Sequence, residues 1–454
     1  MALGSINMLE GSIWDKILKF AIPLACTSIM QQLFNATDVA VVGQFVGKDA
    51  LAAVGANAIV INLMLNLVIG LSIGANVVCA MRIGSKDYLR IKKTVHTSIV
   101  LAVGSGIILA VFGVIFAPDI LKMVDTPEHI MDSAVLYLRI LMGGVPIMLV
   151  YNFGASLLRS KGDTKRPLYA MLCAGTINVL LNLFFVTQLG MAVEGVAIAT
   201  VMASCASASL MVYWLHNEKG PMQLRFDKLW VDKSVLIHIC KVGLPTGFQG
   251  MVFSFSNVVI QVALNNLGAE VVAATAVALN FEFAGFFILQ AFSQAATTFV
   301  GQNYGAKNIA RCRRVIKVTL GISTLVTGSI SIAFAIFAYP LAEIFTVDPE
   351  VLEYAAIRIR YILTFEVINI FIETLSGAMR GVGYSLVPAI ACMLGVCVFR
   401  VFYVYTIFAE YPTFEVLMAV YPISWSVTVF VIVGLYIYVF NRVEKKILWK
   451  KRMA

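Results

Sequence analysis

An all-α polytopic membrane protein, twelve transmembrane helices in two parallel-repeat six-helix bundles around a central cleft, is the fold this sequence predicts. Three observations predict it. The chain of 454 residues is 60% hydrophobic and 13% charged, about half the charged fraction of an ordinary soluble domain. Twelve mostly apolar runs of about 20 residues or more recur along it, each long enough to cross a hydrocarbon core of roughly 30 Å at about 1.5 Å per residue. Nine residues of the first half also recur in the second at one constant offset, beginning with Gly47 and Gly268.

The first run, 14–42, follows Glu10 and Asp15 and carries no small-residue cleavage site, so it is expected as a retained helix and not as a signal peptide. Within it, in NATDVAVVGQFVG, stands a single carboxylate, Asp38. The second run, 50–80, carries Asn62 and Asn66, and the third and fourth, 94–118 and 131–158, are joined by an acidic stretch with Asp119, Asp125 and Glu128. In the fifth, 167–189, Asn178 and Asn182 lie four apart and share a helix face. Thr200 lies in the sixth, 193–215. The connection from His216 to Lys233 is the longest in the chain and still too short for a soluble domain.

The seventh run, 234–266, carries Gln249, Asn257 and Gln261, and the eighth, 270–300, carries Glu282. After the ninth, 315–340, the tenth, 352–379, places Glu366 and Glu373 seven apart, nearly two turns and therefore on similar faces. Arg400 in the eleventh, 386–409, is the expected counter-charge for one of these acids, and the twelfth run is 414–440. Several runs exceed the length needed and are expected to tilt or bend. Interhelical hydrogen bonding is the ordinary use of a single amide in such a run; together Asn62, Asn66, Gln249, Asn257, Glu282, Glu366 and Glu373 form the set of candidates for lining a substrate cleft.

The net charge of +9 is a topology signal. Of the 34 Lys and Arg, all but seven fall at the two ends of the chain or in connections after even-numbered helices, while the connections after odd-numbered helices hold only Lys48 and Lys122. By the positive-inside rule both termini are expected in the cytoplasm, with the basic loops against anionic lipid headgroups and no nucleic acid involved. The eight Cys and four His show no metal-ligand or disulfide spacing, and no P-loop GxxxxGK[ST] is present. An enzyme is therefore not expected.

The repeat pairs Ala52 with Ala273, Gly84 with Gly305, Lys86 with Lys307, Arg90 with Arg311, Arg139 with Arg360, Arg159 with Arg380, Gly162 with Gly383 and Pro167 with Pro388. Six helices per repeat is an even number, so both halves enter the membrane in the same sense, as in transporters whose repeats are related by an axis along the membrane normal. The expected lobes are 1–220 and 221–454. Intramembrane polar residues are what the halves do not share: Asp38 faces Val259 or Ile260, and Asn178 and Asn182 face Phe399 and Tyr403.

The paired Ala21–Pro23 and Gly243–Pro245 motifs, TDVAVVGQFVG, the connection LLRSKGDTKRP and the stretch Gly301 to Asn308 resemble the multidrug and toxic compound extrusion family, and its prokaryotic branches more than the eukaryotic one. Over essentially the whole chain the resemblance implies two six-helix lobes, no cofactor, and export of organic cations across a prokaryotic cytoplasmic membrane against inward H+ or Na+. It implies that Asp38 is the cation-coupling acid of the first helix, and that Asn178, Asn182 and Thr200 are its polar neighbours. Asn182 departs from relatives that carry an Asp there, so Na+ at Asp38 would rely on amide and hydroxyl oxygens; a proton needs only the one carboxylate. Low dielectric disfavours the ionised form, and Asp38 is expected to load a proton on one side and release it on the other. A monomer with membrane lipids and small organic cations as partners is expected. The alternative is a lipid or lipid-linked oligosaccharide flippase of similar architecture, which would favour a basic cavity for phosphate; the helix-centre charges, Asp38, Glu282, Glu366 and Glu373 against Arg400, favour cations.

Overall fold

The computed structural model describes residues 6–453; residues 1–5 and 454 of the expected lobes lie outside, as do the side chains of Ile59 and 450–453, and with them Lys450, Lys451 and Arg452 of the basic tail. Every long regular element described is helical. In chain order these are α1 (Trp14–Val46), α2 (Lys48–Gly84), α3 (Tyr88–Met123), α4 (Glu128–Ser160), α5 (Lys165–Gln188) and α6 (Val193–His216). The second set is α7 (Lys233–Asn265), α8 (Ala269–Gly305), α9 (Ile309–Ile336), α10 (Pro349–Gly381), α11 (Leu386–Phe408) and α12 (Phe414–Met453). Eleven of them are long and apolar enough to cross a membrane. The exception, α10, carries Arg358, Arg360, Glu366, Glu373 and Arg380 along its length.

The repeat seen in the sequence is also written in the backbone. Gly47 and Gly268, which precede α2 and α8, both take φ of 120°, a region closed to most side-chain-bearing residues. Lys86 and Lys307 turn at φ of 55° and 58°. Asp87 and Asn308 cap α3 and α9 by accepting from the amides of Arg90 (3.1 Å) and Arg311 (3.0 Å). Inside the bundles, Asn76 Nδ2 donates to the Ser156 carbonyl (2.9 Å), and at the equivalent place Thr297 Oγ1 donates to the Gly377 carbonyl (3.0 Å).

Two compact units result. One comprises residues 6–7 and Cys26–Gly247; the other comprises Met8–Ala25 and 248–453. The expected lobes divide the chain between 220 and 221, whereas by internal packing the first half of α7 goes with the first unit and the first half of α1 with the second. The physical reason lies in close packing that only these residues allow. In the first unit α7 meets α2 backbone to backbone, and a Cβ on Gly70 would stand 2.3 Å from the Gly247 nitrogen. In the second unit Phe20 of α1 meets Phe299 of α8 edge to face at 5.6 Å, and the side chains of Asn303 and Arg311 donate to the Met8 carbonyl at 3.2 and 3.3 Å.

One gap in a helix's hydrogen-bond ladder is filled by a side chain. Pro118 inside α3 has no N–H to offer the Val114 carbonyl one turn back. Arg139 Nε of α4 donates to that carbonyl instead, at 3.1 Å.

Candidate functional site

The site in the first unit starts from a missing side chain. Gly175 of α5 has no Cβ, and one placed there would stand 1.7 Å from Phe34 Cε2. The Phe34 ring of α1 can therefore lie on the bare backbone of α5. Asp38 follows Phe34 by one helical turn, while Asn178 and Asn182 follow Gly175 by about one and two turns on the same face. The close approach of the two helices thus carries the carboxylate onto the amides.

Asn182 Nδ2 donates to Asp38 Oδ1 and also to Asn178 Oδ1 (3.2 Å). Asn178 Nδ2 donates to Thr200 Oγ1 of α6 (3.2 Å), and Thr200 Oγ1 lies 3.4 Å from Asp38 Oδ2, its donor in turn. The four side chains close a ring. Asn178 and Asn182 are buried, Asp38 and Thr200 partly so. The Thr200 hydroxyl has a second acceptor, the Val196 carbonyl at 3.0 Å, but only one proton to give. Asn182 Oδ1 is buried and has no hydrogen-bond partner. Among the described residues no cation pairs with Asp38; its partners are amides and a hydroxyl. Tyr137 of α4, buried, lies within electrostatic reach of the carboxylate. Two π-turns, Val42–Val46 and Phe184–Gln188, follow Asp38 and Asn182 directly, a distortion often found beside functional residues.

The acids of the second unit are placed differently. Glu282 of α8 forms a two-pronged ion pair with Arg358 of α10, Nε to Oε1 at 2.6 Å and Nη2 to Oε2 at 3.0 Å. Glu373 lies 3.5 Å from Arg380 Nη2, which also donates to Ser293 Oγ at 3.1 Å. Glu366 accepts from Asn369 Nδ2 at 3.2 Å and has no ion pair within 4.0 Å among the described residues, although the charges of Glu282, Glu373 and Arg400 reach it.

Arg400 makes no ion pair within 4.0 Å among the described residues: its Nε donates to Ser424 Oγ at 3.2 Å, and its guanidinium lies over the rings of Tyr421 (4.4 Å) and Trp425 (5.8 Å). Its charge and that of Glu366 still reach one another, while Glu282 and Glu373 take Arg358 and Arg380 of α10. The count of helix-centre charges changes with them. Arg358, Arg380 and Arg400 are all buried, as are Glu366 and Glu373, so the interior of the second unit is balanced and not acidic.

The remaining candidates have ordinary surroundings. Asn66 donates to the Asn62 carbonyl one turn back (2.8 Å), and Gln261 donates to Asn265 (2.9 Å). Gln249 is buried and Asn257 exposed. Sequence reasoning passed over Phe34, Gly175, Tyr137 and Arg358. Only Arg358, a charge within an apolar run, carried a visible signal.

Known proteins match the chain in the same two pieces. The family model described as MatE matches residues 23–184 and again 245–406, one match for each repeat. The chain is similar to a probable multidrug resistance protein, YoeA, of Bacillus subtilis (strain 168), with 28% identity over 447 residues and 95% of each chain covered. It is also similar to a probable multidrug resistance protein, NorM, of Thermotoga maritima, 27% identical with 85% of this chain and 83% of the relative covered, and to an FAD transporter of Shewanella oneidensis, 25% identical with 78% and 79% covered. Among solved structures, the outward-facing conformation of a multidrug resistance MATE family transporter superposes with a TM-score of 0.90 at 23% identity, covering 97% of this chain and 99% of that one.

Proposed function

The chain belongs to the MatE family of membrane transporters, and from that premise we propose that it is a secondary active antiporter, exporting organic cations across the cytoplasmic membrane of a prokaryote in exchange for inward protons. Asp38 carries the coupling charge. The observation behind this reading is that the Asp38 carboxylate has hydrogen-bond donors but, among the described residues, no counter-ion.

When Asp38 is ionised, the Asn182 amide and the Thr200 hydroxyl both donate to it, and its charge can hold a cationic cargo. When a proton arrives, Thr200 turns its hydrogen to the Val196 carbonyl, and its freed oxygen accepts from the new carboxyl O–H. The ring satisfies both states by the rotation of one hydroxyl. Proton and cation compete for one charge, so one leaves as the other enters, and a helix arrangement that favours one occupant is shifted by the exchange. The expected lobes, 1–220 and 221–454 in the sequence, enter this proposal with the exchanged helix halves described above, and alternating access comes from their relative movement. Both termini lie in the cytoplasm by the distribution of Lys and Arg.

Sodium asks more of the site. A hard cation needs oxygen ligands, and Asn182 presents nitrogen to Asp38 while its Oδ1 stands unpartnered. The amide would have to turn over, which favours the proton.

A second reading, transport of an anionic cargo, is favoured by one feature: Arg400 is a buried cation with no carboxylate within 4.0 Å among the described residues. Glu282, Glu366, Glu373, Gln249, Asn257, Asn62 and Asn66 remain candidate cargo contacts under either reading.

The experiment is transport by the full chain in liposomes, with a fluorescent organic cation and, in parallel, a fluorescent anionic lipid, under separate proton and sodium gradients. Proton-driven movement of the cation is the expected result. Sodium-driven movement would replace the coupling ion, and movement of the anionic lipid alone would replace the reading.

A further inference from the structure

The connection between α6 and α7 does not hang free. It folds back on the start of α3: the Arg225 amide donates to His96 Nε2 (3.2 Å), His96 Nδ1 meets the Lys92 carbonyl (2.7 Å), and the Asp232 amide donates to Thr97 Oγ1 (3.0 Å). Beside these bonds lies an open pocket of about 460 Å3 lined by Leu89, Lys92, Lys93, Asp227, Lys228 and Trp230 among others. From this cavity we infer that the first unit carries a binding site for the headgroup of an anionic phospholipid.

Charge carries the argument. Asp227, which lines the cavity, pairs with Arg225 Nη2 at 3.3 Å, and Asp232 pairs with the lining Lys93 through its Nζ at 2.9 Å. Lys93 also sits over the Trp230 ring, 5.3 Å from its centre, and so fixes the indole. Lys92 has no acidic partner among the described residues, and Lys228 shares the charge of Asp227 with Arg225. Four cations, Lys92, Lys93, Arg225 and Lys228, against the two carboxylates Asp227 and Asp232 leave a surplus of two positive charges, which calls for an anion. The apolar rim says which kind: Leu89 is 66% exposed, Trp230 53% and Leu229 41%. Aliphatic and indole surface beside lysines is the arrangement of a membrane interface, where the phosphate meets the cations and the chains meet the apolar groups. A soluble anion would leave that rim in water.

Each surplus positive charge should favour an anionic headgroup by about fivefold. The test uses the full-length protein in phosphatidylcholine vesicles containing a low fraction of brominated phosphatidylglycerol or brominated phosphatidylcholine. Quenching of Trp230, read as the difference between wild type and Trp230→Phe, reports the lipid beside it. The expected result is preferential quenching by the glycerol lipid, lost in the double variant Lys92→Gln with Lys228→Gln and retained in Lys92→Arg with Lys228→Arg. Equal quenching by the two lipids in wild type, or a preference that survives in the glutamine variant, overturns the site. If millimolar inorganic phosphate removes the preference, the occupant is a soluble phosphate and the lipid assignment is overturned.

Discussion

Asp38 of the first unit and Glu282 of the second are held in opposite ways. Asp38 in the first is surrounded by two amides and a hydroxyl, whereas Glu282 in the second is gripped at both oxygens by Arg358. The difference teaches what each acid can do. A carboxylate locked to a guanidinium keeps its charge, because losing it would strand a buried cation. A carboxylate held only by neutral donors can lose its charge and leave nothing stranded. In the second unit Glu366, with the Asn369 amide as its donor and no ion pair within 4.0 Å among the described residues, is the acid held in the manner of Asp38.

Four experiments break or sharpen that contrast. The largest effects come from removing each charge. Asp38→Asn keeps an acceptor for Asn182, so stability should stay within about 1 kcal/mol of wild type while gradient-driven efflux is abolished. Glu282→Gln should do the reverse, costing about 3–5 kcal/mol by leaving Arg358 unpaired but sparing the response to a proton gradient. Thermal unfolding and liposome transport on both variants read the four outcomes. A destabilised Asp38→Asn, or an uncoupled but stable Glu282→Gln, would erase the distinction between the two acids.

Next, Asn182→Asp adds a second carboxylate to the ring. One further unit of charge in a partly buried site should raise sodium-driven export about tenfold, measured against the proton-driven rate of the same variant. Gly175→Ala tests how the site is assembled. The new methyl meets the Phe34 ring, and overpacking of about 1–3 kcal/mol should move Asp38 off Asn182 and slow efflux about tenfold; adding Phe34→Ala should recover most of the rate. Smallest is Thr200→Val, which removes the bond to Asp38 and the one accepted from Asn178, each worth about 1 kcal/mol; the Asn178 bond is lost in both charge states alike, so transport should slow no more than about fivefold. Full loss of transport there would mean that the hydroxyl does more than share its proton.

Much of this was legible in the sequence, and for identifiable reasons. A membrane helix needs only length and apolarity, so the twelve runs are plain, and the repeat shows because turns such as Gly47 and Gly268 have few chemical solutions. Asn178 and Asn182 could be placed on one face from their spacing alone. The Glu282–Arg358 pair could not be found that way, since its partners lie on different helices and only packing joins them. Arg380 read as a loop residue because composition does not mark where α10 ends, yet it is folded into the interior beside Glu373. Gly175 looked like any of the 33 glycines until Phe34 was seen lying on it. The exchange of the first halves of α1 and α7 between units leaves no local trace at all.

The single hydrogen of Thr200, with two oxygens within its reach, also sets a clock. Hydroxyl rotation takes picoseconds to nanoseconds, whereas collective helix motion takes microseconds to milliseconds. Under the proposed proton exchange, the ring would come to equilibrium with each arriving proton many times over before the helices move. Speed would then belong to the scaffold, and the ring would act only on which way the scaffold's equilibrium leans.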